Sequence, residues 1–145
     1  MNEIEKYLHQ VNSILSDKQK RLYEFYITNM QYFTKDDTYI NKTKRDFQYI
    51  ENAIPKNCYN NCKRIAKTNH KFRYYEGFYM VEGLDWPTEH GFLVTNDGKI
   101  FDPTSERLNF NVTLYGGIEI PREMLKLNTP YSQLVDLFLE KDKSK

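Results

Sequence analysis

Every glycine of the chain lies beyond residue 76: Gly77, Gly83, Gly91, Gly98, Gly116 and Gly117. Glycine serves tight turns and is disfavoured inside helices. Its distribution divides the chain into a helical part, up to about residue 75, and a part of strands and turns after it. No glycine-rich linker marks the change, so we expect both parts to share one core as an α+β domain. A chain of 145 residues is long enough for such a core. Only 39% of it is hydrophobic, but 12 Tyr and 9 Phe supply large side chains that bury well.

In the first part Ile4, Leu8, Val11 and Leu15 recur at helical intervals. Ser16-Asp17 offers a break and a new N-cap, after which Leu22, Phe25, Tyr26, Met30 and Phe33 form one stripe of a second helix. Thr34 to Thr43 is polar and reads as a loop. A short helix from about Thr43 to Ala53 ends ahead of Pro55. Asn57 is placed to cap a helix that opens at Cys58. On it Cys58, Cys62, Ile65, Ala66 and Asn69 share a narrow face of small residues suited to packing on a sheet. Lys63, Arg64 and Lys67 take the other face.

From Arg73 the period changes to two, with Tyr75, Gly77, Tyr79 and Val81 alternating with Tyr74, Glu76, Phe78 and Met80. Further strands are expected at 89–95, Lys99 to Asp102, Phe110 to Tyr115 and Gly117 to Ile120, an antiparallel sheet of about five. Pro121 stops the last one, and Tyr131 to Leu139 reads as a short C-terminal helix carrying Leu134, Val135, Leu137 and Phe138. The charged tail from Glu140 reads as a frayed end. The expected plan is a single domain over 1–145, with N-terminal helices over 1–54, a core over 55–121, and the closing helix and tail over 122–145.

The turn Asn96-Asp97-Gly98 sets a register. A three-residue hairpin loop ends in a left-handed residue, and Gly98 occupies that place. Thr95 then faces Lys99 and Phe92 faces Asp102. His90, two residues from Phe92, falls on the same face as Asp102, about 7–8 Å away at the backbone and within side-chain reach. A two-residue Asp97-Gly98 loop would put them on opposite faces. Read singly, His90 is equally a solvent-exposed strand-end residue and Asp102 the start of an Asp-Pro turn.

Cys58 adds a reason to read them together. At the first helical position, unpaired backbone amides and the helix dipole favour a thiolate, and the Cys58 amide is a candidate oxyanion donor. Cys62, one turn deeper, reads as a buried small hydrophobe. An aspartate beside an imidazole fixes its tautomer and stabilises the imidazolium formed when it takes the thiol proton. Cys58, His90 and Asp102 are thus the candidate nucleophile, base and orienting acid. Asn61 is a candidate for orienting a substrate carbonyl or bracing the strand at Glu76, with backbone capping as the alternative.

A helix-opening cysteine, then Glu89-His90-Gly91-Phe92, then Asp102-Pro103-Thr104 resembles the transglutaminase-like branch of the papain-like cysteine-protease superfamily, whose members carry His-x-Trp and then Asp-Pro-Thr. With Cys58-Tyr59-Asn60-Asn61, Tyr75-Glu76-Gly77 and Tyr115-Gly116-Gly117, the likeness extends to small bacterial and phage proteins of this kind and covers about residues 55–121. The resemblance implies a papain-like core in which Cys58 is nucleophile, His90 base and Asp102 orienting acid; Asn61, Glu76 and Phe92 are the candidate supporting or substrate-binding residues beside them. Phe92 stands where Trp is usual and keeps an aromatic wall. It further implies attack on an amide or acyl group through a thioester, as in the superfamily's peptidases, amidases, deamidases, transglutaminases and acetyltransferases. The superfamily also includes members that have lost catalysis.

Two cysteines four residues apart on one helix make a poor disulfide, so a reducing cytoplasm is the expected compartment. No cofactor is expected. A metal is not expected either, because Cys58, Cys62, His70 and His90 lack tight Cys-x-x-Cys spacing. The net charge is +1, and the basic run from Lys56 to Arg73 reads as a solvated helix face rather than a nucleic-acid site. No apolar run approaches the roughly 18 residues of a membrane span, and the acidic, mixed start does not read as a leader. The expected partner is a protein, peptide or small amide substrate. If the scaffold is catalytically silent, it is instead a protein that the chain binds or inhibits, for which abundant tyrosine is suited.

Overall fold

The computed structural model describes residues 1–127 and 129–137. It has an α+β fold with a five-stranded antiparallel sheet. Helix α1 (Glu3–Val11) opens at Asn2, whose side chain accepts from the Glu5 amide, and buries Ile4 and Leu8. Helix α2 (Asp17–Asn29) opens at Ser16, which forms a reciprocal capping box with Gln19, and buries Leu22 and Tyr26.

The expected helical stripe through Phe33 is cut short. Met30 turns extended, at ψ 140°, and Gln31–Thr34 form strand β1. The helical spacing of Phe33 is real in the sequence but is overridden, because these four residues pair with the last strand of the sheet. The stretch expected to be a loop holds a 3-10 turn at Lys35–Asp37 and a bridge from Thr38 to Ile100. Helix α3 (Lys44–Asn52) follows, with Thr43 and Asp46 forming its capping box.

Helix α4 (Cys58–Thr68) buries Cys62, Ile65 and Ala66 as expected, but also Lys63, which is 0% exposed. The segment at 129–131 returns over this face, and Lys63 Nζ donates to Thr129 O (3.3 Å), Thr129 Oγ1 (3.1 Å) and Tyr131 O (3.3 Å). A buried ammonium is tolerable only with such partners. Helix periodicity alone carries no sign of this return.

The sheet contains β1, β2 (Phe72–Val81), β3 (Thr88–Thr95), β4 (Ile100–Phe101) and β5 (Val112–Ile120), in the order β1-β5-β2-β3-β4. The two strands expected around Gly116 are one continuous β5. Its glycines do not end it: a Cβ on Gly116 would lie 2.7 Å from the Tyr32 ring and one on Gly117 2.7 Å from the Phe92 ring. Gly77 of β2, whose Cβ would lie 2.0 Å from Gly116 O, lets the two strands approach closely. Tyr74, Phe78 and Met80 of β2 pack with α1, α2 and α4. The opposite face carries a second cluster of Tyr75, Phe92, Val94, Ile100, Val112 and Tyr115.

The β3–β4 register follows the turn. Gly98 has φ 84°, Thr95 N donates to Lys99 O at 2.8 Å, and Leu93 pairs with Phe101. After β4 the chain enters a helix that strand periodicity missed, α5 (Pro103–Leu108), with Asp102 as N-cap, Pro103 in the first turn and left-handed Asn109 as C-cap. The closing helix, α6, spans 133–137 of the described residues. The expected positions Phe138 and Leu139 and the tail from Glu140 lie outside them. Among the described residues no helix is long and apolar enough to cross a membrane.

Candidate functional site

Strand β3 places His90 opposite Gly77 of β2, on the sheet face that carries Tyr79. The Tyr79 ring lies flat on the imidazole, with centroids 3.9 Å apart and planes 6° apart. His90 Nε2 is 2.8 Å from Asp102 Oδ2, and both side chains are buried. An ionised carboxylate only accepts, so the proton sits on Nε2 and Nδ1 is left to exchange a proton with another group. Burial opposes a charged imidazole. The Asp102 carboxylate, its hydrogen bond and the Cys58 thiol outweigh that effect and raise the His90 pKa to about 10.

Asp102 is held from three sides. Its Oδ1 accepts from the Ser105 amide at 3.2 Å as the α5 cap, and its Oδ2 accepts from His90 and from the Tyr115 hydroxyl at 2.7 Å. Burial pushes its pKa up, but His90 and these donors prevail and hold it below the ordinary value.

Helix α4 brings Cys58 to the same place by packing over Gly91. The Cys62 thiol donates to Gly91 O at 3.7 Å, and a Cβ on Gly91 would come within 2.9 Å of the Tyr59 ring. Cys58 is one turn earlier, against His90. The residue before the cap, Lys56, is left-handed at φ 65°. Contrary to expectation, the Asn57 side chain makes no capping bond, because its backbone (φ -123°, ψ 41°) is not the extended one that aims a cap at the first turn. The first-turn amides of α4 are thereby left without a side-chain acceptor at Asn57. Cys62 is 0% exposed, and burial raises its thiol well above the ordinary range, reinforced by Asp102 and Cys58.

Asn61, Glu76 and Phe92 are each bonded or packed within the scaffold around these residues. Asn61 clasps the backbone of Ile54, accepting from its N–H at 3.1 Å and donating to its C=O at 2.9 Å, and also donates to Thr104 Oγ1 at 2.9 Å. It thus ties the approach to α4 onto α5. Glu76 is 0% exposed and accepts from Tyr74, Ser132, Gln133 and Leu134, so it caps α6. Phe92 is stacked on Tyr75 and lies in the second cluster, away from the cleft.

Cys58 and His90 open onto a cleft of about 480 Å3 lined also by Tyr59, Tyr79, Glu89 and Ser105. Tyr79, Tyr115 and Ser105 were not singled out as site residues. The strand alternation that puts Tyr79 on the Gly77 face was the available signal, whereas the Tyr115 bond crosses two strands. Among the described residues no group of three or more His, Cys, Asp or Glu converges to hold a metal ion. A thiol against an imidazole that is itself held by a carboxylate can form a thiolate–imidazolium pair. No protein-family model, curated protein or solved structure matches the chain.

Proposed function

We propose that this protein is a cysteine-dependent enzyme with a papain-like core, acting on an amide or related acyl group through a thioester. One arrangement carries the reading: the buried His90, held at Nε2 by Asp102 at 2.8 Å, meets the thiol at the start of α4 beside an open cleft. The Cys58 thiolate attacks the acyl carbon, the C–N bond breaks, and the His90 imidazolium gives its proton to the departing amine. Water or a second amine then attacks the thioester, His90 takes the proton of that nucleophile, and the C–S bond breaks to release the Cys58 thiolate beside the His90 imidazolium. The free first-turn amides of α4 suit the oxyanion formed at each stage. The substrate is a protein, a peptide or a small amide, and a half-buried, cleft-lining reactive thiol suits a reducing compartment such as the cytoplasm.

The test is alkylation of Cys58 and Cys62 against pH, read by peptide mass spectrometry in the wild type and in His90→Ala. An ordinary thiol titrates near about 8.5. Cys58 is expected to react well below about pH 7 and to lose that reactivity without His90, while Cys62 stays protected until unfolding. A Cys58 that titrates as an ordinary thiol, or that stays protected in the folded protein, refutes the enzyme and leaves a binding or inhibitory module on the same scaffold.

A further inference from the structure

Tyr115 lies on β5, two strands from His90, and pairs with Tyr79 across the β2–β5 ladder. Its ring is buried against Phe92, with centroids 4.9 Å apart. Its hydroxyl donates at 2.7 Å to Asp102 Oδ2, the same oxygen that faces His90 Nε2 at 2.8 Å. The other oxygen keeps the Ser105 amide at 3.2 Å, so Asp102 stays oriented by the α5 cap whether or not Tyr115 is present. Two donors on one carboxylate oxygen share its charge, and each weakens the hold on the other.

We infer that Tyr115 is a positioning residue for the Cys58–His90–Asp102 site: by sharing the oxygen that faces His90, its hydroxyl limits how tightly Asp102 keeps a proton on the imidazole. What that proton does in a reaction rests on the function proposed above, whereas the sharing of the oxygen does not. An imidazolium held too strongly is a poor acid toward a leaving amine, so a second donor on Asp102 keeps His90 able to release its proton.

The groups facing this centre come from every packed element. Cys58 comes from α4, Tyr79 from β2, Asp102 from the end of β4, and Tyr115 from β5; Glu106 of α5 adds its charge near Tyr115. Glu89 of β3 lines the same cleft. Of these, Tyr115 bonds the carboxylate oxygen that faces His90, and its ring also lies 6.4 Å from the imidazole, centroid to centroid, a contact that Tyr115→Phe keeps.

The experiment follows the His90 ring by carbon-13 NMR across pH in Cys58→Ala, so that thiol reactivity does not enter, with the resonance assigned by its loss in His90→Ala. Adding Tyr115→Phe keeps the ring and removes the hydroxyl. The His90 titration is then expected to move up by about one pH unit. The same replacement in an Asp102→Asn background is expected to leave it in place, because the shared acceptor charge is gone. In the unsubstituted chain the Tyr115 hydroxyl proton is expected to be visible and slow to exchange. An unmoved or lowered titration in Tyr115→Phe, an equal shift in Asp102→Asn, or a hydroxyl proton averaged with water each overturns the inference. Cys58 alkylation separately decides whether the site is a thiol enzyme.

Discussion

Glu76→Gln tests what that buried residue is for. Each carboxylate oxygen accepts from one hydroxyl and one backbone amide. Oε1 takes Ser132 Oγ at 2.8 Å and Leu134 N at 2.9 Å, and Oε2 takes Tyr74 OH at 2.6 Å and Gln133 N at 2.8 Å. Glutamine keeps the shape but replaces one oxygen with an NH2 group. A hydroxyl facing that group can turn and accept from it, but an amide cannot. Whichever way the side chain is set, one N–H of α6 is left buried against another donor, costing about 1–3 kcal/mol. The remaining bonds lose their charged acceptor, which adds about 1 kcal/mol. The expected destabilisation is about 2–4 kcal/mol, or a Tm lowered by roughly 6–12 °C in a chain of this length. Urea unfolding followed by circular dichroism measures it, and hydrogen exchange should show Gln133 and Leu134 losing protection first. A change below about 0.5 kcal/mol, the size of an ordinary surface substitution, refutes the argument. If stability is kept while thiol chemistry is lost, Glu76 belongs to substrate binding instead.

The His90–Asp102 pair makes stability depend on pH. His90 is raised from 6.5 to about 10, so its contribution is fully present below 6.5 and lost as pH rises through about 10. Asp102 is lowered from 3.8, so its contribution is present above 3.8 and lost as pH falls through its folded value. Denaturation at a series of pH values should show wild-type stability falling between 6.5 and 10 more steeply than that of His90→Ala, and equal slopes would contradict the pairing. Gly77→Ala sets a Cβ 2.0 Å from Gly116 O and 2.7 Å from Gly117 Cα, both backbone atoms that cannot give way locally. A loss of more than about 3 kcal/mol is expected in urea unfolding, and a loss below about 1 kcal/mol would show that β2 and β5 separate easily.

The candidate site was legible where local chemistry dictates geometry. Gly98 closes a three-residue turn, which sets the β3–β4 register and brings His90 and Asp102 to one face. The start of α4 at Cys58 follows from the break around Pro55 and the stripe of Cys62, Ile65 and Ala66. What escaped is non-local. Asn57 reads as a cap but is turned away from that role. Asn61 reads as substrate-facing, as a brace for Glu76 or as a backbone cap, with no local signal to choose among them, and takes the Ile54 backbone and Thr104. Glu76 serves a helix more than fifty residues later. Tyr115 reaches Asp102 only because two intervening strands place it there.

By itself the sequence determined the α+β division, the capped start of the second helix at Ser16, the start of the third near Thr43, and the hairpin that joins His90 to Asp102. Each of these is decided within a few residues, by a side chain bonding a nearby amide or by a glycine adopting a turn. Only the tertiary structure decided that residues 31–34 join the sheet rather than extend a helix, that β5 runs unbroken through two glycines, and that Lys63 is buried. In these cases the backbone or side-chain partners come from distant segments, and pairing with them outweighs the local pattern that pointed elsewhere.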